Sequence, residues 1–429
     1  ALPEYRMRFA DRIQKHFFDE ATISRDNVQQ LMQSRVEQID QAIKMRMALV
    51  NNVSDSELVP KALFQIAGNL HALATYSKAS DAYEFYASQF PKKPEAKQSL
   101  QNAAVFREGL GQLDAAIKNY KAYIKLVGTK DKKKAAKVFF QIGGIYQKRK
   151  EWPKVIKHYR KFLKDFSKTA ELDLVLAAHT RIGNAYFKQA EPYLPPKSKR
   201  KRIDWGSFDK FNKPAQKAYN RAYKAFLALS DAEKKTLTGG RHAVAEARFM
   251  MGESVYIDVR YRTKLKAKSY RNLKKFIKTM VDKIGERSLA IAKGEKIYAE
   301  VIKLRSPNWA IAALGRTGQL YQLLSDDVYN YPAPKAFNEE QVETFKGEMS
   351  DQSDRFRTKA VTGYVTCLKV AQQYKWFNPW TQAAERQLAE LDPGKYRSNA
   401  ELRSEPTHFQ KSGVRQDFIS ELPKEEELK

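Results

Sequence analysis

Residues Phe139 to Phe166 carry the pattern that most restricts what this chain can become. Phe139, Ile142, Gly143 and Tyr146 are spaced as one face of a short helix, with a small residue where a neighbouring helix must come close. Val155, Tyr159 and Phe162 supply a second helical face, and Lys148-Arg149-Lys150-Glu151 between the two is a polar turn. A unit of about 34 residues built this way is a helix-turn-helix that cannot bury its apolar face alone. It must stack on further copies of itself.

The copies are present. Leu63, Ile66, Ala67, Leu70, Ala79, Tyr83, Tyr86 and Pro91 occupy the same relative positions one repeat earlier, the proline falling where a second helix should end. Leu100, Ala103, Ala104, Ala116, Tyr120 and Tyr123 make another copy between them. The small residue that opens each second helix recurs at Ala79, Ala116 and Val155, an interval a little longer than the minimal repeat of about 34, which predicts longer connecting loops. A fourth first helix is expected near His179 with Ile182, Gly183 and Tyr186. A fifth follows at Phe249, Met251, Gly252 and Val255, and a weaker sixth at Ile311, Leu314, Gly315 and Leu320.

This pattern resembles the tetratricopeptide (TPR) family, closely over residues 61–190 and in degenerate form beyond. The resemblance implies an all-α fold, a right-handed superhelical solenoid of TPR-like helical hairpins with irregular insertions, and a non-enzymatic scaffold for protein-protein interaction. Strand signals agree by their scarcity: no sustained alternation is bounded by hairpin turns. The expected organisation is an N-terminal helical segment over 1–60, regular repeats over 61–190, degenerate repeats with a basic insertion over 191–325, a helical cap over 326–393 and a polar tail over 394–429.

Within the first segment, Val28, Leu31, Met32, Val36, Ile39, Ile43 and Met47 share one face of a long helix that closes near Asn51-Asn52 and packs beneath the first clear repeat. Tyr329-Asn330-Tyr331-Pro332-Ala333-Pro334 breaks the helical run near the other end. An acidic stretch from Glu339 to Asp354 follows, and then a helix through Phe356, Ala360, Tyr364, Cys367, Leu368 and Ala371. The tryptophans of Trp376-Phe377-Asn378-Pro379-Trp380 are expected to plug the end of the solenoid before a last helix with Ala384, Leu388 and Leu391. The segment from Phe356 to Asp392-Pro393 resembles the closing segment of repeat proteins of the deltaproteobacterial gliding-motility envelope machinery. That resemblance implies a periplasmic scaffold in a multiprotein envelope complex, with a cytoplasmic location as the alternative. The chain opens at Ala1 without methionine, as a processed or excised product would.

The formal net charge of +29 belongs to the middle of the chain: residues 111–305 hold the surplus, and the flanks are close to neutral. Such a field attracts acidic protein surfaces by long-range steering. An alternative reading is a surface that holds an anionic polymer, nucleic acid or a cell-envelope polymer, by charge alone. Lys197, Lys199, Arg200, Lys201 and Arg202 follow Pro195-Pro196 in a loop, either gripping phosphates or serving as a localisation signal, or simply solvated. Lys264, Lys266, Lys268, Arg271, Lys274, Lys275 and Lys278 form a second basic run on a helix. Its apolar positions Leu273, Phe276, Ile277 and Met280 read as core.

The family's clamp for a terminal carboxylate would need lysine and asparagine where Phe64 and Gly68 stand, so that anchor is missing. Asn102, Lys137, Gln141, Arg181 and Asn184 nevertheless fall on groove-facing positions, with Phe140 and His71 nearby, and together suit an extended peptide. Enzyme signatures are lacking: no phosphate-cradling Gly-Lys loop, no paired-histidine helix and no nucleophile elbow occur. His16, His71, His158, His179, His242 and His408 are scattered, and Cys367 is the only cysteine. No cofactor, metal or disulfide is therefore expected. No apolar run reaches the roughly 18 residues that span a bilayer.

Overall fold

The computed structural model describes residues 25–128, 130–195, 203–263 and 272–396, and these are helical with no strand among them. The helices are α1 (Arg25–Asn52), α2 (Val59–Ala72), α3 (Tyr76–Gln89), α4 (Glu95–Gly109), α5 (Leu113–Val127), α6 (Lys132–Lys148), α7 (Trp152–Phe166), α8 (Leu172–Ala190), α9 (Trp205–Leu227), α10 (Asp231–Thr236), α11 (Gly239–Ile257), α12 (Leu273–Lys303), α13 (Pro307–Tyr329), α14 (Glu339–Tyr374) and α15 (Pro379–Leu391). Each of the helices α1 to α7 packs against its successor in the chain, as does each of α11 to α14, and the chain divides into two compact units, Ala1–Ala218 and Tyr219–Lys429.

In unit 1 the hairpins are α2/α3, α4/α5 and α6/α7, with α8 opening a fourth. Their cores are built from small residues on the first helix and tyrosines on the second. Gly143 of α6 lies flat against the Tyr159 ring of α7, and a Cβ at this position would fall well inside contact distance. Tyr159, Phe162 and Val155 are fully buried together with Ala136, Ala178 and Ala185. Tyr83 packs in the same manner among Ala67, Ala79 and Ala103. Tyr86, Tyr120 and Tyr123 share a further core with Ile142 and Ile145. Close approach of backbones around buried rings gives density near that of an organic crystal, which explains the glycine and alanine positions of the repeat.

Unit 2 repeats the device. Gly252 of α11 sits against Tyr298 of α12, and Gly318 of α13 sits against Tyr364 of α14. The degenerate repeats thus keep the glycine-tyrosine wedge while the rest of their pattern drifts.

The turns have a common chemistry as well. Ala74, Gly111, Lys150 and Lys375 take left-handed backbone conformations with φ of 57°, 76°, 56° and 50°. The next residue's N–H reaches back five positions: Thr75 to the Leu70 carbonyl, Gln112 to Arg107, Glu151 to Tyr146 and Trp376 to Ala371, at 2.8 to 3.1 Å. These are Schellman closures, which satisfy the last carbonyls of a helix before the chain reverses.

Three expectations need correction. The acidic stretch and the helix expected after it form one continuous helix, α14, 36 residues long and opened by an Asn338 capping box. Of the two tryptophans expected to plug the end, only Trp380 inserts, against Phe249 at 5.5 Å between ring centroids, whereas Trp376 remains 50% exposed beside Phe377. The Asn378 cap turns the chain so that Trp380 enters the first turn of α15 and Trp376 stays outside. On α12, Phe276 is core, but Leu273 and Ile277 are exposed, because the helix projects past the neighbour that would cover them.

Candidate partner-binding face

The first helices of the unit 1 hairpins, α2, α4, α6 and α8, carry the residues expected to meet a partner. Asn102 on α4 is half-buried and hydrogen-bonded to Tyr83, whose hydroxyl pKa is raised by burial. Lys137 and Gln141 stand one turn apart on α6, and both are exposed. Asn184 lies on α8 three residues beyond Arg181 and is half-buried. His71 belongs to an aromatic cluster, 4.6 Å from Phe106 and 6.1 Å from Tyr76 between ring centroids.

Phe140 is not an open contact. It is buried against Tyr159 and Phe162, and the Arg181 guanidinium lies 4.5 Å above its ring. The structure therefore brings Phe140, Tyr159 and Arg181 together as one layered feature, with Arg181 outermost. Nη1 of Arg181 donates to the Tyr159 hydroxyl at 2.5 Å, and Gly144 leaves the space beside the guanidinium open, its nearest outside atom being Arg181 Nη1 at 3.8 Å from a Cβ position. The doublet Gly143-Gly144 was the readable sign: one glycine admits the tyrosine, the other makes room next to the arginine.

Among the described residues no carboxylate pairs with Arg181, whereas Arg107, Arg248, Arg316 and Arg287 each have one. Arg107 of α4 binds Glu84 through Nε and Nη2 at 2.9 Å, Asp81 at 2.5 Å and Gln112 at 2.6 Å, and these carboxylates raise its pKa. Asn119 adds a donor to Glu84 at 2.6 Å, so α3, α4 and α5 share one network. In unit 2, Arg248 pairs with Glu300, Arg316 with Glu253, and Arg287 with Asp327. Arg316 also lies 3.8 Å over Tyr256 and 4.6 Å over Trp380. Arg287 further donates to the carbonyls of Val259 and Thr263, 2.6 and 2.8 Å away, which closes the π-helical turn Asp258–Arg262 after α11.

A guanidinium held over rings keeps its fork geometry and most of its donors available. The layered site is thus prepared for a carboxylate or another planar acceptor, with Lys137 and Gln141 on the adjoining helix. Among the described residues no group of three His, Cys, Asp or Glu side chains converges as a metal site. Cys367 is buried in unit 2, its thiol pKa pushed up to about 12 by burial. No helix among the described residues is long and apolar enough to cross a membrane.

Lys197, Lys199, Arg200, Lys201, Arg202, Lys264, Lys266, Lys268 and Arg271, the expected basic patches, lie outside the described residues.

The chain matches no protein-family model and no curated protein. Solved structures with likeness to it include a TPR repeats protein from Bacteroides fragilis, at 15% identity over 68% of this chain and 98% of that one, with a TM-score of 0.31. A tetratricopeptide repeat protein from Parabacteroides merdae gives 12% identity over 77% and 98%, with a TM-score of 0.33. The TPR domain of P58(IPK) gives 12% over 79% and 99%, with a TM-score of 0.24. At such scores the assignment rests on the chain's own hairpins, wedges and turns. Those define an all-α protein of stacked TPR-like hairpins.

Proposed function

We propose that this chain is a non-enzymatic scaffold that joins partner proteins in a larger complex, and that the first-helix face of unit 1 takes an extended acidic segment of one partner. The observation that carries the reading is Arg181, a half-buried cation held by Phe140 and Tyr159 with no carboxylate of its own among the described residues. Lys137, Gln141, Asn102 and Asn184 offer further polar contacts along the same face. The resemblance of the C-terminal segment to gliding-motility envelope proteins favours a periplasmic envelope assembly as the setting.

The test is to isolate the native complex by crosslinking, identify its members, and measure binding of their acidic segments to the purified chain by fluorescence anisotropy. Arg181→Ala should weaken binding by about 1.5–3 kcal/mol, the range for a hydrogen bond to a charged group, while Arg181→Lys restores only part of it. Partner binding that persists at moderate salt supports the scaffold. Sequence-independent binding of polyanions that collapses with salt, with no protein partner, would replace it with the charge-holding reading. Cell fractionation checks the compartment.

A further inference from the structure

Helix α13 has 23 residues, whereas its neighbours α12 and α14 have 31 and 36. At about 1.5 Å per residue the neighbours exceed it by roughly 12 and 20 Å. Their opening turns lie where α13 stops: Phe276 of α12 lies 5.9 Å from Tyr331, just past the end of α13, and 6.2 Å from Phe345 in the second turn of α14. Phe337, in the loop before α14, lies 6.1 Å from Phe345. Between these elements is a cleft of about 550 Å³, with Phe276, Met280 and Phe345 among its lining.

The cleft continues onto an open apolar ridge. Leu273, Ile277 and Val281 follow one another at four-residue steps along α12 and are 41%, 46% and 58% exposed. Among the described residues the only charged groups lining the cleft are Glu340 and Glu348, and neither makes an ion pair there. They belong to a stretch in which Glu339, Glu340, Glu343, Glu348, Asp351 and Asp354 stand against the single Lys346. Lys274, Lys275 and Lys278 of α12 are exposed but do not line the cleft.

We propose that this cleft and ridge dock a short amphipathic helix of a partner protein, apolar along one face and bordered by Lys or Arg. The walls are helices whose backbone groups are already bonded, so an extended segment would find no strand edge here, whereas a helix satisfies its own amides and presents side chains at the spacing of the ridge. The unpaired carboxylates select a basic border and disfavour an acidic one. This surface is independent of the unit 1 face and opposite to it in charge preference.

The experiment is selection of phage-displayed random peptides of about 16 residues on the immobilised full chain, followed by anisotropy measurements with the selected peptides. Expected winners carry apolar residues at helical spacing with Lys or Arg beside them, become helical when bound, and lose about tenfold or more in affinity for Glu340→Lys/Glu348→Lys and for Ile277→Asp. Arg181→Ala should bind them unchanged. The neutral pair Glu340→Gln/Glu348→Gln, expected to weaken binding less, preserves the test if the lysine pair fails to fold by circular dichroism. Acid-rich winners, winners indifferent to these variants, or no winners at all would overturn the proposal. So would a dimer, seen by sedimentation velocity, that Ile277→Asp dissolves, since the occupant would then be a second copy of the chain.

Discussion

Two adjacent glycines do different work in α6. Gly143 is pressed against the Tyr159 ring, so Gly143→Ala must displace a fully buried side chain and is expected to cost about 1–3 kcal/mol, as overpacked cores do. A Cβ at Gly144 meets only the Arg181 Nη1 at 3.8 Å. Gly144→Ala should therefore leave stability nearly unchanged, or raise it slightly through better helix propensity. Urea titrations of the two variants side by side check the contrast. The glycines at Gly143 and Gly252 are legible in the sequence because each follows an apolar residue in the recurring first-helix pattern, Ile142-Gly143 and Met251-Gly252. The stacking of Arg181 is not, since Phe140 occupies a helical position that reads as outward until the arginine of the next hairpin is seen to cover it.

At the scale of elements, the hairpin turns are the less obvious part of the design. Helix ends of this kind favour glycine, yet only Gly111 follows the rule, and Ala74, Lys150 and Lys375 take the left-handed conformation with a Cβ. This is why the turns show in the sequence only as polar breaks. Lys150→Gly relieves the Cβ strain and should stabilise the chain by up to about 1 kcal/mol, measured by thermal or urea unfolding. A second element-level device is histidine. His158 of α7 stacks on Phe139 of α6 at 4.2 Å and bonds its carbonyl at 2.7 Å, and His242 of α11 accepts from Trp309 Nε1 at 3.2 Å while its Nδ1 faces Ser306 Oγ at 3.0 Å. Burial lowers both pKa values, and Lys121 and Lys161 lower that of His158 further. An unfolded chain takes up these protons near its ordinary value of about 6.5, before the folded chain does. The stability they contribute is thus complete above that pH and is lost as pH falls toward the depressed folded values. Denaturation midpoints measured between pH 7 and 5 should fall, and His158→Gln with His242→Gln should flatten the decline. The exposure of Leu273 and Ile277 was not readable for a different reason: their spacing is that of a core, but burial depends on how far α13 extends, which no local pattern encodes.

For the whole molecule, two compact units with their own cores predict unfolding in more than one step, as in chains where each repeat meets only its neighbours. Cys367 is a built-in reporter for unit 2, because the only thiol is fully buried there. Its labelling by a thiol reagent in increasing urea should shift to lower concentration in Gly318→Ala, which crowds Tyr364, and remain in place in Gly143→Ala. A common shift in both variants would show a single cooperative transition instead. The all-α class and the repeat positions are legible from periodicity across the chain, whereas the unequal lengths of α12, α13 and α14 emerge only when the helices are laid together.

That inequality has an evolutionary consequence. Side chains on the projecting turns at Leu273, Ile277 and Glu340 stand apart from the wedges at Gly252 and Gly318 that hold neighbouring helices together. Substitution there is cheap in folding terms, so descendants of this chain are free to change the surface they present at that end while inheriting the same architecture.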